Sequence, residues 1–306
     1  MSKENKIKPS DILSAEKLLG ISYSKAEREQ MVENLEGQIL SAKIRRGVIL
    51  NNESPMASKF DPRLPGFQMP SGSHVKTTVK RKPIPKTDED IAFASILDQG
   101  NWIKRGIITS RRLTEIYLDR IKRFQDKLEC FATVTKDEAL AEADAMDSLT
   151  RANVNLGPLH GIPYGLKDLF DTKGITTGWG AEPYRKRVPS NDATIVKKLR
   201  ASGAVMLGKT TLGALAYNDI WYGGRTKNPW NINEGSSGSS AGSASATAAG
   251  LCSFAIGTET LGSITSPSQR CGTTGLRPTF GRVSRAGGMA LCWSLDKVGP
   301  ICRYTE

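Results

Sequence analysis

Sixteen consecutive residues, Gly235–Gly250, carry no side chain larger than threonine: four glycines, six serines, five alanines and one threonine. A segment with so little to bury is either a flexible spacer between domains or a loop entering a helix that packs backbone-close against its neighbours. A spacer is polar at both ends, yet this stretch runs into Leu251, Phe254, Ala255 and Ile256, the pattern of a buried strand. Alanine is also the best helix former and a poor choice for a flexible chain. The expected arrangement is a loop, then a small-residue helix, then a strand.

The flanking sequence has the same rhythm. Residues 10–46 read as two helical stretches, the first with Leu13, Leu18, Leu19 and Ile21, the second with Met31, Val32, Leu35, Ile39 and Leu40 at helical spacing. Pro55, Pro62, Pro65, Pro70, Pro83 and Pro85 punctuate residues 51–88, which read as an extended arm or linker. From residue 89 the texture is globular. Ser110 is expected to cap a helix bearing Leu113, Ile116, Tyr117, Leu118 and Ile121, and a second helix is expected near 136–150. Asp192 reads as the cap of a helix over Ala193–Arg200, which ends at Gly203 before the strand-like Ala204–Leu207. The division expected is a helical extension over 1–50, a Pro-rich basic arm over 51–88 and an α/β domain over 89–306.

Charge does not name a function. The net charge of +12 splits evenly, with 16 Lys+Arg against 10 Asp+Glu in residues 1–88 and 27 against 21 in the rest. The densest cluster, Lys76, Lys80, Arg81, Lys82 and Lys86, is broken by prolines and lacks interleaved aromatics, so it reads as a solvated linker, not a nucleic-acid site. A bilayer-crossing helix needs about 20 apolar residues, and no such run occurs. The N-terminal MSKENKIKPSD has no apolar core for a signal peptide. Five cysteines, Cys130, Cys252, Cys271, Cys292 and Cys302, are widely spaced without CxxC pairs. That pattern suits a reducing cytoplasm better than a disulfide framework or a zinc site.

Beside the small-residue stretch, two weak signals carry chemistry. Ser263 follows a Gly-containing turn, Thr260-Leu261-Gly262, that would expose its hydroxyl beside several backbone N–H groups, as a nucleophile near an oxyanion hole requires. A base must accompany it. Only two histidines are available: His74 lies in the Pro-rich arm, and His160 precedes Gly161-Ile162-Pro163 at a strand entry, so a Ser-His-Asp triad is poorly supported. Lys167, in the largely apolar run Ile162–Phe170, is the alternative base if burial keeps it neutral, although a lysine there also reads as a strand-end residue snorkelling to water.

Together, and in this order, these features resemble the amidase signature family. The resemblance runs from about Leu97 to Ile301 and is carried by LHGIPYGLKDLFDTKGITTGWG (159–180), GSSGSSAGSASATAAGLCSFAIGTETLGS (235–263) and CGTTGLRPTFGRVS (271–284). It implies an α/β fold, a mixed twisted sheet covered by helices on both faces. It also implies a Ser–cis-Ser–Lys triad: Ser263 as nucleophile, Lys167 as base and a bridging serine 24 positions before Ser263, which is Ser239, with a cis peptide at Gly238–Ser239. Ser236, Ser237 and Ser240 stand close by; the gapless count back from Gly250 selects Ser239, and Ser240 would steady the loop. The oxyanion would meet the N–H groups of Thr260, Leu261, Gly262 and Ser263. The implied activity is hydrolysis of a linear carboxylic amide through an acyl-enzyme, with a small-molecule amide as substrate, no metal and no organic cofactor.

The chain departs from the family pattern. Where members read GGSIR this chain reads Leu261-Gly262-Ser263-Ile264-Thr265, so a glycine and the arginine are missing, and the usual aspartate is Glu259. The family also continues beyond Gly299-Pro300-Ile301, so the domain reads as cut short, with poor stability and little activity expected of this chain alone. One alternative is the glutaminase (A) subunit of an Asp-tRNA/Glu-tRNA amidotransferase, with partner subunits and tRNA; the long N-terminal arm and Thr265 favour a stand-alone amidase. A homodimer is left open. The distant alternative is a basic nucleic-acid-binding protein in which 235–250 is a linker.

Overall fold

The computed structural model describes residues 6–54, 61, 63–69, 71 and 82–305. His74, Lys76, Lys80, Arg81, Pro55, Pro62 and Pro70 lie outside the described residues. The chain divides into two compact units, Met1–Asn51 and Asn52–Glu306.

The first unit is a helical hairpin, α1 (Pro9–Leu19) and α2 (Lys25–Arg46). Pro9 occupies the first turn of α1, where its missing N–H costs nothing, and Gly20 ends the helix in the left-handed region at φ 66°. Ser24 and Glu27 form a capping box at the start of α2, the Glu27 N–H donating to Ser24 Oγ (3.3 Å) and the Ser24 N–H to Glu27 Oε2 (2.6 Å). Arg28 ties the two helices by donating from Nε and Nη2 to both carboxylate oxygens of Glu16 (2.7 and 2.8 Å).

In the second unit, α3 (Asp88–Phe93), α4 (Ile96–Lys104) and α5 (Ser110–Leu128) precede β1 (Phe131–Val134) and α6 (Lys136–Arg151). Then come β2 (Pro163–Lys167), α7 (Thr194–Ala201), β3 (Val205–Thr210) and two short ribbons, β4 (Ile220–Trp221) with β5 (Gly224–Arg225) and β6 (Lys227–Asn228) with β7 (Asn231–Gly235). The chain closes with α8 (Ala241–Ala248), β8 (Phe254–Glu259), α9 (Thr265–Cys271), β9 (Thr274–Gly275) and β10 (Lys297–Cys302). The sheet runs β1-β3-β2-β8-β10-β9, with β3, β2 and β8 parallel and β1, β10 and β9 antiparallel to their neighbours. Every residue of β2, β3 and β8 is buried. Successive side chains point to opposite faces, so full burial means that both faces are covered. This is the helix-wrapped mixed sheet implied by the sequence.

The stretch 235–250 is no spacer. All eight residues of α8 are buried, against β2, β3, β8 and β10. A Cβ on Gly242 would overlap the Cys130 carbonyl oxygen and the Thr211 amide, and the Gly242 N–H itself donates to Thr211 O (2.9 Å). The buried hydroxyls are paired: Ser243 with Thr210 Oγ1 (2.8 Å) and Ile256 O (3.0 Å), Ser245 with Lys227 O (2.8 Å). Arg120 of α5 and Arg303 satisfy the carbonyls at the end of α8, donating to Ala249, Gly250 and Thr247.

Two expected caps differ by one residue. Thr109, not Ser110, caps α5, because the Ser110 hydroxyl is drawn to Gly161 O (2.8 Å) while Thr109 Oγ1 accepts the Arg112 N–H. Asp192 does not cap α7, whose first turn follows Ala193; its carboxylate instead accepts the Lys173 N–H and pairs with Arg200. No helix among the described residues is long and apolar enough to cross a membrane.

Candidate active site

The C-terminal end of β2 delivers Lys167 into the sheet interior, where its side chain is 0% exposed. A lysine there must find polar partners or lose its charge. It donates to three hydroxyls: Ser239 Oγ at 2.8 Å, Ser240 Oγ at 3.1 Å and Thr258 Oγ1 at 2.8 Å. Among the described residues no carboxylate lies within ion-pair distance. Burial accordingly pushes the ammonium group down to about 7, against the opposing fields of Asp296 and Glu259. The snorkelling alternative does not hold.

Ser239 and Ser240 stand at the head of α8, after a cis Gly238–Ser239 peptide. Ser240 is the knot of this corner. Its hydroxyl donates to Thr258 O and accepts the Thr258 N–H (both 3.1 Å), and its own N–H donates to Ser263 O (3.1 Å). The approach is close enough that a Cβ on Gly257 would lie 2.7 Å from Ser240 Oγ, so β8 needs glycine there. Ser237 faces elsewhere, bonding Ser266 Oγ (2.7 Å), while Ser236 bonds Ser237 O. Neither touches Lys167.

Ser263 follows β8 in the turn to α9, nearly buried and joined to Ser240 through its carbonyl. Among the described residues its hydroxyl makes no hydrogen bond, so the bonded chain from Lys167 ends at Ser239. Of the four N–H groups assigned by resemblance, that of Gly262 lies against the Glu259 carboxylate, leaving those of Thr260, Leu261 and Ser263 for an oxyanion. Leu261 projects outward, 90% exposed.

Several supporting residues escape a reading of the sequence. Thr258 supplies a third partner for Lys167; the signal available was a polar residue in a strand of otherwise buried character. Asp219 holds the loop before Ser239 by accepting the Ser237 N–H (3.0 Å) and pairing with Arg225 (3.2 Å). Asp168 lies beside buried Lys209 (3.3 Å), whose ammonium also donates to Phe170 O and Thr177 Oγ1. Burial raises the pKa of Asp168 and lowers that of Lys209. Asp296 accepts the hydroxyl of Thr260 and the N–H groups of Leu291 and Cys292. His160 is structural, bonded to Thr150 Oγ1 (2.9 Å), Met146 O (3.1 Å) and the Leu156 N–H (3.3 Å). No group of three or more metal-ligating side chains occurs among the described residues.

The chain resembles several known proteins. The A subunit of a glutamyl-tRNA(Gln) amidotransferase from Acinetobacter baumannii is 43% identical over 220 residues, 71% of this chain and 44% of the relative. The peptide amidase of Stenotrophomonas maltophilia superposes with a TM-score of 0.66 at 38% identity, over 69% of this chain and 45% of that one. A fatty acid amide hydrolase does so with a TM-score of 0.67 at 26% identity, over 72% and 40%. The chain thus spans less than half the length of these relatives. Residues 112–306, which contain every side chain of the candidate site, match the amidase family as a whole, and the chain belongs to that family.

Proposed function

We propose that the protein hydrolyses a carboxylic amide through a covalent acyl-enzyme on Ser263. The observation that carries this reading is the buried, carboxylate-free ammonium of Lys167 held 2.8 Å from Ser239 Oγ. A lysine with a pKa of about 7 is substantially neutral near neutral pH, the state a general base requires. Neutral Lys167 takes the proton of Ser239 as Ser239 takes that of Ser263, and Ser263 Oγ attacks the amide carbon. The oxyanion draws on backbone N–H groups of the 260–263 turn. The C–N bond then breaks, the proton returns along the same path to the departing amine, and water releases the acid from Ser263.

The direction of pH dependence follows. Protonated Lys167 cannot accept a proton, so acylation is expected to fall as pH drops through about 7 and to level off above it. Asp296 favours the protonated lysine, so Asp296→Asn is expected to move the midpoint to lower pH. A pH series of single-turnover acylation rates checks both; a flat profile between pH 6 and 9 counts against Lys167 as the base.

The likeness to amidotransferase A subunits at 43% identity supports a second reading, in which the same residues release ammonia from glutamine for partner subunits. Ammonia release from a C-terminally amidated peptide and from glutamine, each with and without added amidotransferase partner subunits, separates the two. The peptide amide turnover that the chain supports, even if small, is expected to be independent of the partners. Glutamine turnover that appears only with the partners overturns the stand-alone reading.

A further inference from the structure

We propose that Arg277 is a positioning residue for the turn that carries Ser263, acting through the carboxylate of Glu259; this rests on Ser263 being the nucleophile. The turn joins β8 to α9; the Thr260 hydroxyl ties its start to Asp296 (2.6 Å), and beyond it Leu261 projects into solvent and Gly262 adopts φ 78°. Its far half is held by Glu259, at the end of β8 and only 2% exposed. Its Oε2 accepts the N–H groups of Ile264 (2.9 Å) and Thr265 (3.0 Å) and the Thr265 hydroxyl (3.2 Å), and the Gly262 N–H lies against the same carboxylate. Gly262 precedes Ser263 and Ile264 follows it, so one carboxylate clasps the nucleophile's backbone from both sides.

A clasp of that kind works only while the carboxylate is ionised and held in one orientation, because charge shortens and strengthens each N–H bond. Burial opposes ionisation, and the N–H donors from Thr265, Ile264 and Gly262 overcome it, holding Glu259 below the usual carboxylate range. The donors from Ile264 and Thr265 gather on Oε2. The remaining oxygen, Oε1, faces Arg277 Nη1 at 3.5 Å. Arg277 is delivered from outside the turn: β9 pairs with β10, and the Leu276 N–H donates to Pro300 O (3.0 Å), which anchors the loop to the sheet. Its guanidinium therefore links the nucleophile turn to the sheet edge. Thr265, at the position where the sequence pattern has arginine, gives this carboxylate a hydroxyl and no charge; Arg277 supplies the charge.

The Arg277 side chain is 54% exposed, so solvent screens the pair and the expected effect is modest. Labelling of the full chain by a fluorophosphonate over a concentration series, with amide exchange at Ile264 and Thr265, tests the proposal. Arg277→Gln is expected to lower the maximal labelling rate about two- to fivefold and speed both exchanges, leaving the half-saturating probe concentration and the melting temperature unchanged. Arg277→Lys, and Thr265→Arg added to Arg277→Gln, are expected to restore the rate. Unchanged labelling and exchange in Arg277→Gln overturn this inference alone. A wild-type chain that the probe leaves unlabelled at Ser263 overturns the nucleophile reading and this inference with it.

Discussion

Ser263→Ala is expected to abolish covalent labelling by a fluorophosphonate, and Lys167→Met to slow labelling of Ser263 by about 10²- to 10⁴-fold. The probe's phosphorus is attacked by the serine oxygen as fluoride leaves, so the rate reports both the nucleophile and the path for its proton. Lys167 is the only group touching Ser239 Oγ that can take that proton among the described residues. Methionine fills a similar volume without a basic nitrogen, and the Ser240 hydroxyl keeps its partners on the Thr258 backbone, while the Thr258 hydroxyl loses its bond from Lys167. Lys167→Arg separates the base from the structural partner. Arginine retains donors but stays protonated throughout the accessible range, so its labelling should be slow at every pH. Mass spectrometry of the labelled peptide and stopped-time labelling rates check these outcomes. Label retained on Ser263→Ala, or an undiminished rate in Lys167→Met, sinks the assignment.

The second large effect concerns packing. Gly242→Val is expected to cost about 3 kcal/mol or more and to lower the melting temperature by about 10 °C. Gly242 lies where α8 meets the carbonyl of Cys130 and the amide of Thr211 with no room for a first side-chain carbon. Relief requires α8 to lift from the sheet. Lifting it breaks the Ser243 bonds to Thr210 and Ile256 and withdraws Ser239 and Ser240 from Lys167. The residual folded protein should therefore label slowly as well as melt early. Thermal melting with labelling measured well below the transition checks both, and an unaltered melt would show that the helix has slack the structure does not contain.

What could be read from the sequence divides along physical lines. The small-residue stretch announced tight packing because alanine and serine have no other reason to run into a buried strand, and α8 followed by β8 is the result. Lys167 and Ser239 could be placed together because the resemblance to the amidase signature family implies it. Thr258 was hidden, since its side chain meets Lys167 only through the register between β2 and β8, and register is a property of the assembled sheet. The cap of α5 slipped by one residue for a similar reason: Thr109 and Ser110 are equally able caps, and the choice is made by Gly161, distant in sequence. Asp192 likewise has the right chemistry for a cap and is claimed by Arg200 and the Lys173 amide. The link between Arg277 and Glu259 carried no signal, because it exists only once β9 is laid along β10. Local chemistry was legible; competition between partners far apart in the chain was not.

The burial of all eight residues of α8 also bears on how this protein can vary. Glycine, alanine and serine codons lie a single nucleotide change from valine, isoleucine, phenylalanine or arginine, none of which the space around Gly242 admits. Many point mutations therefore destabilise this helix, and a deep substitution library should show its sharpest trough in tolerance across 241–248. The exposed Leu261, close along the backbone to Ser263, should sit on a plateau by comparison. Variation has its open door at the turn, while the helix behind it stays closed.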